Sequence, residues 1–205
     1  MVVSVVNLKG GAGKTTSVMC LAAVAAGRGA DVVVLDADPE LSAYGWFLAL
    51  AAAENPLPFE VIPIDGDELA SKTREVAKSG RTVLLDTPPN DRQIVWPAAS
   101  VSDVVLVPTE PSEVNLTRLG STLRLLAEIE ASRGDRPLNA MVLLLRTRQQ
   151  RLLARESVQA LMERDLPVLE ATVRDLERYK RFEDALGYLD EYEEVWDELV
   201  ASLEG

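Results

Sequence analysis

The chain contains no histidine and a single cysteine among its 205 residues. Without histidine, any mechanism must do without the side chain that most often serves as general base or metal ligand near neutral pH. The lone thiol, Cys20, cannot close an internal disulfide. Its place among Val18, Leu21 and Ala22 on a helical pattern suits a small buried group better than a metal or redox centre. No run of eighteen or more apolar residues occurs, and no basic stretch precedes the first apolar segment. Neither a membrane span nor a signal peptide is therefore expected, and the expected compartment is the cytoplasm. Positive charge is missing from the C-terminal stretch, where residues 182–205 hold nine Asp or Glu and no Lys or Arg. A net charge of −12 argues against binding nucleic acid with the whole surface. Residues 141–181 nevertheless carry nine Lys or Arg against six Asp or Glu, which leaves room for one local basic face.

What is present is an alternation of short β-rich runs with helical patterns. Strands are expected at Val2 to Asn7, Asp31 to Asp36, Glu60 to Ile64, Thr82 to Asp86, Asp103 to Pro108, Ala140 to Leu145 and Val168 to Thr172. Their apolar continuity predicts burial on both faces, as in a mostly parallel twisted sheet of about seven strands flanked by helices on both sides. Helices are expected at Thr15 to Ala26, Ala43 to Ala53, Asp67 to Lys78, Leu116 to Ala131 and Gln150 to Arg164. Leu189, Tyr192, Trp196, Leu199 and Leu203 form an apolar stripe opposite an acidic face, so a last helix over about 189–203 should dock on the body. No linker divides the chain, and 1–205 reads as a single α/β domain.

The chemistry concentrates in Lys9-Gly10-Gly11-Ala12-Gly13-Lys14-Thr15-Thr16, which follows an apolar strand and opens a helix. Glycines let successive backbone N–H groups converge on phosphate oxygens, and the helix start adds its partial positive charge. In such a P-loop, Lys14 reaches the β and γ phosphates and Thr15 places its hydroxyl on Mg²⁺. The octet departs from the usual pattern: Leu8 stands where a first glycine is expected, and a second lysine, Lys9, opens the run.

Carboxylates end two of the apolar runs, in Val32-Val33-Val34-Leu35-Asp36-Ala37-Asp38-Pro39 and in Val83-Leu84-Leu85-Asp86-Thr87-Pro88-Pro89. Asp86 takes the position expected of a Mg²⁺-holding aspartate beside a P-loop, the alternative being a turn or helix cap. Asp36 and Asp38 flank one residue, so in extended backbone they point the same way, about 6 to 7 Å apart. Asp38 is the candidate to orient an attacking water and Asp36 to support the Mg²⁺ shell, with turn and cap duties as the alternative.

Together with Val107-Pro108-Thr109-Glu110-Pro111, these motifs resemble, in order and spacing, the ParA/MinD family of deviant Walker A ATPases, and most of all its small plasmid-type partition ATPases without an N-terminal DNA-binding extension. The resemblance implies an Mg²⁺-dependent, slow, partner-stimulated ATPase. It implies that the lysine matching Lys9 acts in trans on the nucleotide of a second subunit, so that a homodimer closes around ATP. Pro108 to Pro111 falls where the family has a proline-rich dimer-contact loop, the alternative being a plain strand-end turn, and Arg146-Thr147-Arg148 falls near its adenine side. The family usually has glutamine where this chain has Glu40.

The implied function is a nucleoid-associated switch in plasmid or chromosome segregation. The ATP dimer binds DNA nonspecifically, and a centromere-binding ParB-like adaptor stimulates hydrolysis and release. Candidate DNA contacts are Arg146, Arg148, Arg151, Arg155, Arg174, Arg178, Lys180 and Arg181, all in the net-positive segment. Three other readings share some of the motifs: the same cycle positioning another cargo, a MinD-like membrane-cycling ATPase, and an enzyme of the dethiobiotin-synthetase type. The base-free C-terminal stretch weighs against the membrane reading, which needs Lys or Arg on the polar face of a terminal helix.

Overall fold

A computed structural model describes residues 1–146, 161, 167–174, 179 and 189–204. Seven strands form one sheet in which every pairing is parallel: β1 (Val2–Val5), β2 (Val32–Asp36), β3 (Glu60–Pro63), β4 (Thr82–Asp86), β5 (Val104–Thr109), β6 (Asn139–Leu145) and β7 (Val168–Val173). Their order is β3-β2-β4-β1-β5-β6-β7. All seven were expected from the apolar runs, because strands covered on both faces need no polar alternation.

The described helices are α1 (Lys14–Gly27), α2 (Ser42–Ala52), α3 (Gly66–Lys78), α4 (Arg92–Val101), α5 (Glu113–Ser132) and α6 (Asp190–Ala201). One face of the sheet packs under α1, α2 and α6, in a core that joins Val3 and Val5 to Met19, Leu21, Leu50, Tyr192 and Trp196. The other face packs under α3, α4 and α5. Helix α1 is buried from Ser17 through Ala25, as a helix enclosed on all sides must be, which is why its sequence is apolar all round. Cys20 lies fully buried within it, and burial pushes its thiol far above the ordinary range.

The sequence reading did not anticipate α4. Asp91 caps it by accepting hydrogen bonds from the amides of Gln93 and Ile94, and Pro97 sits inside it. That proline and the preceding Thr87-Pro88-Pro89 read as a loop. The helix expected at Gln150 to Arg164 lies outside the described residues, apart from Leu161, which is buried against α5 and β6.

Candidate nucleotide site

An all-parallel sheet brings the carboxyl ends of its strands to one edge, where the connections to the helices gather. Strand β1 lies between β4 and β5, so the loop after it, residues 6–13, is flanked by the ends of both neighbours. The loop is fastened from several sides. Asn7 donates through Nδ2 to the Pro108 carbonyl at 2.8 Å and accepts from the Lys9 amide at 2.8 Å. Leu8 donates to the Thr122 hydroxyl, and its carbonyl accepts from the Asn90 amide. Gly11 and Gly13 have φ of 68° and 81°, left-handed values that an L side chain resists. Gly13 is the N-cap of α1 and offers no side-chain cap, which leaves the first amides of that helix open toward the cleft.

The cleft in front of this loop has a volume of about 380 Å³ and is walled by residues 10–16, by Asp38, Glu40 and Ser42, and by Pro89 and Arg146. Gly10, Gly11, Ala12, Gly13, Lys14, Thr15 and Thr16 all line it, as the P-loop reading expected. Lys14 is buried, and its Nζ donates to the Lys9 carbonyl at 3.4 Å. Burial lowers its pKa, against the pull of Asp86 and Asp38 in the opposite direction. An anion in the cleft supplies the negative charge that such a desolvated ammonium lacks.

Asp86 is fully buried, and neither of its oxygens has a hydrogen-bond partner of good geometry. Burial is the main cause that raises its pKa to about 7; the nearby Thr15 hydroxyl and Lys14 act the other way, while Asp36 and Asp38 reinforce the rise. An orphaned carboxylate beside a threonine hydroxyl fits a Mg²⁺ site completed by phosphate oxygens and water. Among the described residues no group of three or more His, Cys, Asp or Glu is placed to hold a metal alone. Asp86 and Thr15 would hold a Mg²⁺ there, and the cation would supply neutralising charge to bound phosphates.

Asp36, like Asp86, is not among the residues that wall the cleft. Its Oδ1 accepts from the Asp38 amide at 3.1 Å and its Oδ2 from the Tyr44 amide at 3.0 Å. The turn-and-cap alternative describes it: Asp36 ties the end of β2 to the start of α2. Burial raises its pKa, and those two backbone amides offset part of the rise. Asp38 does face the cleft, with Oδ1 accepting from the Glu40 amide at 2.9 Å.

Lys9 is half-exposed, is absent from the cleft wall and makes no ion pair among the described residues. Its backbone amide and carbonyl serve its own P-loop, through Asn7 and Lys14. Pro108 and Pro111 are buried and are not among the residues that wall the cleft. Arg146, by contrast, reaches the cleft wall from the end of β6 and forms an ion pair with Glu110. Sequence spacing had no signal for that pairing. Of the basic residues considered for DNA, Arg146 and Arg174 are described, and both are paired, Arg174 with Glu191. Arg148, Arg151, Arg155, Arg178, Lys180 and Arg181 lie outside the described residues.

The model of the CobQ/CobB/MinD/ParA nucleotide binding domain matches residues 3–185. The chain belongs to this family. It is 34% identical to the maintenance of carboxysome distribution protein A of Gloeobacter kilaueensis, over 88% of this chain and 79% of that protein. It is 31% identical to the protein ParA of Rhizobium radiobacter, over 69% of this chain and 63% of that one. Among solved structures, the ATP complex of a Cyanothece McdA variant superposes with a TM-score of 0.71 at 20% identity, covering 99% of this chain and 96% of the other, and so shares the fold. The ParA/MinD resemblance read from the motifs therefore holds: the chain is a nucleotide-binding P-loop protein of a family of ATPases. No described helix is long and apolar enough to cross a membrane.

Proposed function

We propose that the chain is an Mg²⁺-dependent ATPase whose ATP-bound form pairs with a second copy, binds DNA without sequence preference, and uses the cycle to position a cargo. The placement of the two P-loop lysines carries this reading. Lys14 is drawn into its own cleft, whereas Lys9, next to the same loop, stands outside the wall with its ammonium uncommitted to any described carboxylate. A cation at the rim of one cleft is suited to the phosphates of a facing copy, where it stabilises the transferring phosphoryl as an arginine finger does. In this scheme Lys14 and the amides of residues 10–16 hold the triphosphate, Thr15 and Asp86 hold Mg²⁺, and Asp38 orients the attacking water. Pro108 to Pro111 then belongs to the contact between copies.

Light scattering with ATP, ADP or no nucleotide tests the reading, together with retention on nonspecific DNA over a salt series. ATP should produce a dimer that binds DNA and is released by salt. Lys9→Ala should bind nucleotide but remain single and fail to bind DNA. A wild-type chain that stays single at saturating ATP and Mg²⁺ would refute the proposal.

Two cargoes fit the same cycle. One is a DNA centromere carried by a ParB-like adaptor. The other is a protein body, favoured by the 34% identity to a protein named for carboxysome distribution. An adaptor that stimulates hydrolysis only when bound to a specific DNA site supports the first; one that needs no such site supports the second.

A further inference from the structure

Strands β5 and β6 run side by side, with Thr109 opposite Leu144 in register. Glu110 directly follows β5 and Arg146 directly follows β6, and the two form an ion pair. Arg146 takes a left-handed φ of 57°, unusual for a residue with a long side chain, and this turn sends it to the cleft wall. Lys14 and Arg146 are the two cations among the wall residues. The Nε of Arg146 is buried and has no hydrogen-bond partner, so the existing pair leaves part of the guanidinium fork unsatisfied. Glu110 is only 19% exposed and relies on Arg146 for its compensation.

We propose that Glu110 holds Arg146 in the nucleotide-free protein and yields it to a phosphate oxygen when nucleotide enters, passing occupancy of the cleft to the loop after β5. The exchange rests on the nucleotide-binding reading but not on dimerisation or DNA binding. Its chemistry is that of a guanidinium fork, which pairs as readily with phosphate as with carboxylate. A half-buried carboxylate stripped of its cation is costly in place and moves toward water. The Glu110 carbonyl accepts from the amide of Ser112, and Ser112 caps α5 through the Asn115 amide. Movement of Glu110 therefore acts on the start of α5 and on the Pro108 to Pro111 segment, which the functional reading assigns to the partner contact.

The test is binding at concentrations where the chain is single, read with a fluorescent ADP analogue and by its displacement with ATP and with inorganic tripolyphosphate, which has neither base nor sugar. Glu110→Gln should tighten ADP, ATP and tripolyphosphate alike by about three- to tenfold, the worth of one hydrogen bond regained. Glu110→Ala, with no amide to accommodate, should do the same. Arg146→Gln should weaken all three, and the double variant should match Arg146→Gln. Unchanged affinity in both Glu110 variants overturns the exchange, as does an equal gain in the Arg146→Gln background. A gain confined to the nucleotides and absent for tripolyphosphate overturns the phosphate assignment. A wild-type chain that bound none of the three would remove the nucleotide reading itself.

Discussion

Asp36 and Asp86 are register partners at the carboxyl ends of adjacent parallel strands, yet only Asp36 is satisfied. Two backbone amides occupy its oxygens, while those of Asp86 have no partner. Two neighbouring carboxylates thus differ in how they are satisfied: one is tied by backbone amides, the other is buried without them.

Asp86→Asn separates stability from function. Removing a buried carboxylate whose desolvation outweighs the help of Thr15 and Lys14 should stabilise the nucleotide-free protein by about 1 kcal/mol, in line with the trade-off seen where active sites store strain. The same change should abolish Mg²⁺-dependent tightening of nucleotide. Urea denaturation without Mg²⁺ and calorimetric titration with Mg²⁺ check the two halves.

Asp36→Ala and Asp38→Ala should fail in opposite ways. The first unties two buried amides and should cost about 2 to 4 kcal/mol of stability. The second should change stability by less than about 1 kcal/mol, retain ATP, and lower turnover by roughly 10²- to 10⁴-fold. Denaturation midpoints beside single-turnover hydrolysis distinguish them.

Lys14→Ala should weaken ADP and ATP by roughly 10- to 100-fold, the worth of a hydrogen bond to a charged group. Stability without nucleotide should hold or rise, because the ammonium is desolvated in the empty cleft. Nucleotide titration and thermal melting on one preparation provide both readings.

Trp196→Ala should cost about 3 to 5 kcal/mol, since the indole is 6% exposed and packs in the core shared with α1 and Leu50. Saturating ATP should restore part of the lost melting temperature through mass action on the folded state. Differential scanning calorimetry with and without ATP measures this.

The sheet was legible because strands covered on both sides read as continuous apolar runs and the Gly-Lys-Thr octet announced the loop after β1. The positions of Lys14 and Asp38 on the cleft wall and of Asp86 at a buried strand end also followed from local pattern. What escaped depended on the chain returning to itself. Asp36 is a fastener only because Tyr44, eight residues on, brings its amide back. Arg146 meets Glu110 across 36 residues, through a strand pairing that no short motif encodes. Glu191 looked like one more member of an acidic face, yet it is 3% exposed and accepts hydrogen bonds from Arg174 and Tyr179. Helix α4 hid behind its own proline, although Asp91 gave a readable start.

The Tyr192 hydroxyl meets the Ser17 hydroxyl at 3.1 Å, inside the protein and one residue beyond Thr16. Trp196 lies one turn further along the helix that carries Tyr192, and is one of three tryptophans in the chain. The C-terminal helix is thereby pinned, through Tyr192 and Trp196, to the stretch of α1 that directly follows the phosphate loop, which makes the acidic tail of the chain part of the scaffold behind the cleft.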